Sequence, residues 1–154
     1  MTIHILSQHE TQQILEKLQE QFGINEIPGI LLRIGQERIF LYQGSLSEKE
    51  IKEIENTIYI ERLGVYFAKE QEDGIRLSIE GAQILKEQIN KNIFEINDEQ
   101  LDSWMKGNEL NISLGKRCFV IMKYKDDFLG TGKASENKIT NFIPKSRRLK
   151  NKGN

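Results

Sequence analysis

A chain of 154 residues with 38% hydrophobic content holds enough apolar surface for one domain of ordinary size or two small ones, and its 29% charged residues are interleaved with aliphatics, which excludes extended disorder ahead of the tail. The formal net charge of −1 hides a division: from Lys116 onward eleven Lys and Arg stand against three Asp and Glu, a net +8, whereas the preceding residues carry −9. No apolar run reaches the roughly 18 residues of a membrane span, and "MTIHILSQHE" lacks the basic start and apolar middle of a signal peptide, so a cytoplasmic setting with no membrane partner is expected.

Ser7 and Glu10 have capping-box spacing, and Ile14, Leu15, Leu18 and Phe22 then recur on one helical face until Gly23 ends the run. "PGILLRIG" and "RIFLYQG", separated by "GQE", form a hairpin pattern. Ser47 and Glu50 repeat the cap before Ile51, Ile54 and Ile58, giving a second helix from Glu48, and "RLGVYFAK" follows as an extended run. The polar stretch "KEQEDG" then supplies a boundary, so residues 1–72 are expected to form a small α+β unit, 73–150 a second unit and 151–154 a flexible tail.

In the second unit Ile75, Leu77 and Ile79 alternate as in a strand, and Ile84, Leu85 and Ile89 give "AQILKEQINKN" helical spacing. "IFEI" is a short strand. Asn97 and Gln100 cap a helix, "DEQLDSWMKG", with Leu101, Trp104 and Met105 inward and Gly107 at its end. "CFVIMKY", "FLGTGKA" and "KITNFI" complete the chain as strands joined by turns at "KDD" and "SEN". The fold class is α+β, the second unit being mostly β.

"LGTGKA" imitates the end of a phosphate-binding loop, but the earlier glycine of that motif would fall at Asp127 and its hydroxyl residue at Ala134. Gly130 and Gly132 mark a bulge or kink ahead of a ligand's close approach. Cys118 heads an apolar strand as an inert thiol, and with only His4 and His9 beside it the chain offers no zinc set, no triad and no expected cofactor. The basic end is different. Pro144 follows a strand whose Ile139, Phe142 and Ile143 anchor it, so Lys145, Arg147 and Arg148 start from an ordered base and suit phosphate. Of Lys116, Arg117, Lys123, Lys125, Lys133 and Lys138, strand alternation allows only part to share a groove, with Lys106 on its rim.

"GIRLSIEGAQIL", "WMKG" and "CFVIMKYKDDFLGTGKASENKITNFIPKSRRL", in this order, resemble a PUA domain, the RNA-binding module named for pseudouridine synthases and archaeosine transglycosylases. The resemblance spans Asp73 to Leu149. With the small unit ahead of it, the chain is similar to archaeal pre-PUA proteins, to their ribosome-biogenesis relatives and to the C-terminal extension of Sun-family RNA cytosine methyltransferases. It departs from the last in having no glycine-rich cofactor loop and no Pro-Cys or Thr-Cys nucleophile, since Arg117 precedes the single cysteine.

The resemblance implies a PUA pseudobarrel behind a pre-PUA unit and a non-catalytic binder of structured ribosomal or transfer RNA in ribosome biogenesis or RNA modification. Its RNA contacts would be Gly81 and Ala82 at a helix opening and Lys145, Arg147 and Arg148 at the end, with Arg76 as a weaker addition and Gly107 as either a turn or a contact. The acidic first unit would pack on the PUA unit or meet an RNA-modifying enzyme or assembly protein. The alternatives are a subunit presenting RNA to a separately encoded methyltransferase or pseudouridine synthase, and a protein-interaction module.

Overall fold

The structure, a computed structural model, describes residues 3–57 and 64–150. The helical position Ile58, the first residues of "RLGVYFAK" and the tail 151–154 lie outside the described residues.

Strand β1 (Ile3–Ile5) leads into helix α1 (Gln8–Phe22) through the expected capping box: Ser7 Oγ accepts from the Glu10 N–H at 3.1 Å, and the Glu10 carboxylate accepts from the Ser7 N–H at 2.9 Å. Gly23 closes the helix at φ 80°. Strands β2 (Ile30–Ile34) and β3 (Arg38–Tyr42) make the hairpin, and helix α2 (Glu48–Thr57) starts at the Ser47–Glu50 cap.

Strands β4 (Val65–Gln71) and β5 (Gly74–Leu77) complete a five-stranded antiparallel sheet in the order β1-β2-β3-β4-β5. Its two faces are both covered. Leu31, Ile39 and Leu41 pack with Leu18 and Phe22 of α1, while Leu32, Ile34 and Phe40 pack with Ile51 of α2. Burial on both faces explains why these strands are nearly continuous apolar runs instead of alternating ones.

The second part opens with helix α3 (Ile79–Ile84), then strand β6 (Ile93–Glu95) and helix α4 (Asp98–Met105), capped by Asn97 and Gln100 as expected. Strands β7 (Cys118–Tyr124), β8 (Asp127–Ala134) and β9 (Ile139–Asn141) join β6 in a four-stranded sheet, with β6 parallel to β7 and the other pairs antiparallel. Trp104 is wholly buried among Val120, Met122, Ala134, Ile139 and Ile143, the inward position its spacing indicated.

Two expectations differ from the structure. Ile79 begins a helix and does not extend β5, because Ser78 leaves the strand to become its N-cap: its N–H donates to the Phe67 carbonyl at 2.9 Å and its Oγ accepts from the Gly81 N–H at 2.9 Å. The helix therefore starts three residues before "AQILKEQINKN" and ends within it, Leu85 being its C-cap. The boundary at 72/73 falls at the turn of the β4–β5 hairpin, and β5 is hydrogen-bonded into the first sheet. The core crosses that point, since Phe119, Ile121 and Phe128 of β7 and β8 share one cluster with Phe22, Phe67 and Ile75. The Gln21 side chain adds a polar tie, donating to the Ile75 carbonyl at 2.9 Å and accepting from its N–H at 2.8 Å.

The cap of α1 generates a pH prediction. The Ser7 N–H and then the His4 ring at 2.9 Å hold the Glu10 carboxyl down from 4.5 to about 2. Because the folded value lies below the unfolded one, the interaction stabilises the fold above about pH 4.5 and is lost as pH falls through about 2. Titration of the Glu10 carboxyl carbon by NMR should give a midpoint near 2 in the native protein and a higher one in His4→Ala; equal midpoints would remove His4 from the cap.

Candidate functional site

Where the two sheets meet, the chain leaves a cleft of about 530 Å³. It is lined by the end of β5 and the start of α3, from Arg76 to Glu80, by β8 at Leu129–Thr131, by Phe142–Pro144 and Arg147 at and after the end of β9, and by Arg38 of β3 and Lys69 of β4.

The β8 wall is shaped by a bulge. Ile121 pairs with Thr131 and Lys123 with Phe128, so Leu129 and Gly130 together oppose the single residue Met122. Gly130 takes φ +86°, the left-handed conformation a bulge of this kind requires, and a β-carbon there would sit 3.2 Å from the Ile79 nitrogen. Gly130 thus shapes the strand and lines the cleft. Gly132 is purely a packing residue: a β-carbon would meet Ile139 at 2.7 Å and the Trp104 ring at 2.9 Å. Extended backbone runs through Gly132 and Lys133, in line with the rejection of a phosphate-binding loop, which needs a helix there.

Among the described residues four cations line the cleft, Arg38, Lys69, Arg76 and Arg147, against one carboxylate, that of Glu80. Arg76 lies with its guanidinium carbon 4.1 Å from the centre of the Phe142 ring, a stacking that holds a planar, hydrogen-bonding cation in place. Arg147 pairs with Glu80, another residue of the lining. Lys69 is within 3.3 Å of Glu37, and Arg38 is its cross-strand partner in the β3–β4 register.

Of the residues named from the sequence, Arg76 and Arg147 meet in this cleft. The others do not. Gly81 and Ala82 are buried, and a β-carbon on Gly81 would come 2.3 Å from the Phe67 carbonyl oxygen, so this glycine lets α3 lie directly on β4 and is not exposed to a ligand. Arg148 is half-buried, donating from Nε to the Ile143 carbonyl at 2.9 Å and lying against Gly107, where φ is +92° and a β-carbon would be 2.4 Å from that same nitrogen. Gly107 is accordingly a turn that makes room for Arg148. Lys106 pairs with Asp102 at 2.8 Å on α4, away from the cleft. Lys145 is exposed in a 3-10 turn (Lys145–Arg147) beside the cleft and not in its lining.

The order expected of this basic segment is present: the Leu149 N–H donates to the Met105 carbonyl at 2.8 Å, pinning its end to α4. None of Lys116, Arg117, Lys123, Lys125, Lys133 and Lys138 lines the cleft. Lys133 is paired with Asp73, Lys138 with Glu109 at 3.0 Å and Arg117 with Glu136 at 3.9 Å, so part of the basic block is balanced within the fold. Arg38 and Lys69 escaped the sequence reading because they lie in the acidic part of the chain and are brought together only by strand register. Cys118 is half-buried where a buried thiol was expected, and among the described residues no group of three or more His, Cys, Asp and Glu is placed to hold a metal.

Residues 91–149 match the family model described as "Methyltransferase RsmF PUA domain". Residues 91–149, which hold α4 and the β6–β9 sheet, are thus similar to a PUA domain. Over 145 residues the chain is 24% identical to the "Ribosomal RNA small subunit methyltransferase F" of Psychromonas ingrahamii, an alignment that covers 90% of this chain and spans 29% of that relative's length. The alignment therefore extends well beyond residues 91–149, into the part of the chain that forms the β1–β5 sheet. Within the PUA unit, α4, the β6–β9 sheet and the basic turn after β9 all fall inside the matched residues, while Ser78–Ala82 and the strands carrying Arg38 and Lys69 lie ahead of them.

The placement of Gly81 generates a stability prediction. Gly81→Ala should lower the free energy of unfolding by about 1–3 kcal/mol, since the added methyl meets a backbone carbonyl that cannot yield without shifting β4. Urea unfolding followed by Trp104 fluorescence measures this; an unchanged midpoint would show that α3 does not depend on so close an approach.

Proposed function

We propose that the chain binds structured RNA, ribosomal RNA before transfer RNA, through the cleft between its two sheets, as a non-catalytic factor in ribosome biogenesis or RNA modification. The observation that carries this reading is the convergence of Arg38, Lys69, Arg76 and Arg147 on one cleft of a PUA-domain protein. Cations grouped this way act on phosphates that pass close together, and their affinity for a polyanion falls steeply with salt as counterions are released. Arginine suits the task twice over, since its planar fork holds a phosphate bidentately and its face stacks on a base.

The name of that relative supports ribosomal RNA as the nucleic acid and methylation as the associated chemistry. Presentation of ribosomal RNA to a methyltransferase active site is the form of the role that this likeness favours. A cytoplasmic place of action belongs to the same reading. The first sheet serves the site directly, contributing Arg38, Lys69 and Arg76, and so has a part in RNA contact beyond packing on the PUA unit.

Fluorescence anisotropy with small-subunit ribosomal RNA fragments, transfer RNA and duplex DNA of equal length, over a range of salt, tests the proposal. RNA should bind more tightly than DNA with a steep salt dependence. Arg76→Ala combined with Arg147→Ala should weaken RNA binding by roughly tenfold and flatten the logarithmic salt slope by about 1 to 2, with circular dichroism unchanged. Glu80→Gln should act in the opposite direction, raising affinity by about two- to fivefold, because it removes the one carboxylate that lines the cleft among the described residues and frees Arg147. An unaltered slope in the double variant would refute the assignment of the cleft.

A further inference from the structure

The cleft holds more than a phosphate track needs. Thr131 follows the Gly130 bulge on the β8 wall; it is 5% exposed, and its Oγ1 has no hydrogen-bond partner among the described residues. An unpaired buried hydroxyl destabilises a fold, and valine would fill the same volume without that cost. The fold therefore gains nothing from the hydroxyl. The Trp104 indole nitrogen is also buried without a partner among the described residues, but it lies inside the core and is not in the lining of this cleft.

Around Thr131 the cleft is shaped for a flat, partly apolar group. Leu129 and Ile143 supply apolar wall, Phe142 supplies an aromatic ring, and Arg76 is already stacked on that ring. Its volume of about 530 Å³ lies within the roughly 300–1,000 Å³ usual for small-ligand sites. Paired nucleotides cannot reach such a depth, since a double-stranded RNA presents its backbone and shallow minor groove to a protein, whereas an unpaired base can be splayed out and stacked.

We propose that the cleft takes the base of one unpaired nucleotide, which stacks at the Arg76–Phe142 pair while the Thr131 hydroxyl bonds to a polar group on its edge. The flanking phosphates then fall to Arg38, Lys69 and Arg147. This inference rests on the RNA-binding reading above and adds to it the local structure of the RNA.

The test compares two RNA hairpins that differ only in one bulged nucleotide, with 2-aminopurine placed in the bulge to report stacking. The native protein should bind the bulged hairpin roughly fivefold or more tightly than the fully paired one, a hydrogen bond of about 1 kcal/mol being worth that factor, and should quench the 2-aminopurine. Thr131→Val should lose that preference with a melting temperature equal to or above the native one, and Thr131→Ser should retain it. Should Thr131→Val fail to fold, the quenching and the hairpin preference of the native protein and of Thr131→Ser decide. Equal binding to both hairpins without quenching, or a preference kept by a folded Thr131→Val, overturns this inference and leaves the RNA-binding reading standing. Binding to neither hairpin, nor to any of the ribosomal or transfer RNAs, overturns both.

Discussion

The carbonyl of Phe67 fixes how the two halves of the molecule meet. It accepts from the Ser78 N–H at 2.9 Å, and Gly81 lies so close to it that no side chain fits between. Ser78 also donates from its hydroxyl to the Tyr66 carbonyl at 2.6 Å while capping α3. One residue thus ends β5, starts α3 and anchors that start to β4. With α3 held there, the Ile79 backbone comes against the Gly130 bulge of β8, and the seam between the sheets acquires its shape. Every wall of the cleft follows from those contacts, which are made by backbone and small side chains that leave little room for adjustment.

The electrostatics are arranged on top of that frame. The acidic first part of the chain and the basic second part neutralise one another in several places: Asp73 with Lys133, Glu80 with Arg147, Glu109 with Lys138. These pairs are substantially solvent-exposed, and exposed pairs contribute only about 0.2–1 kcal/mol. A weak internal pair is readily exchanged for a phosphate, which brings more charge and more acceptors. The raw imbalance of +8 against −9 is therefore a poor map of the binding surface, since much of it is spent within the fold.

Local signals in the sequence were legible wherever the structure is decided locally. The capping spacings at Ser7, Ser47 and Asn97 each mark a helix start, Gly23 and Gly107 sit at the ends where a left-handed turn was needed, and the "GQE" turn pairs β2 with β3. The start of α3 was hidden because Ile75, Leu77 and Ile79 continue a strand-like alternation and because Gly81, not Glu or Gln, occupies the third helical position, leaving the capping box without its second half. The cleft was half legible. Arg76 and Arg147 stood out from the family resemblance, whereas Arg38 and Lys69 are neighbours only through the pairing of β3 with β4, which no local pattern announces. Thr131 carried no signal at all, since an isolated threonine in a strand is ordinary and only its burial without a partner sets it apart.

The core that Phe119, Ile121 and Phe128 share with Phe22, Phe67 and Ile75 has a consequence for biosynthesis. A ribosome delivers the N-terminal sheet first, and domains commonly fold in that order. Here part of the inner face of that sheet is covered by β7 and β8, so an apolar strip stays open in the nascent chain until those strands have left the exit tunnel. Shuffling the PUA unit as a detachable cassette would strand the same surface, which makes the pair of sheets a single heritable block.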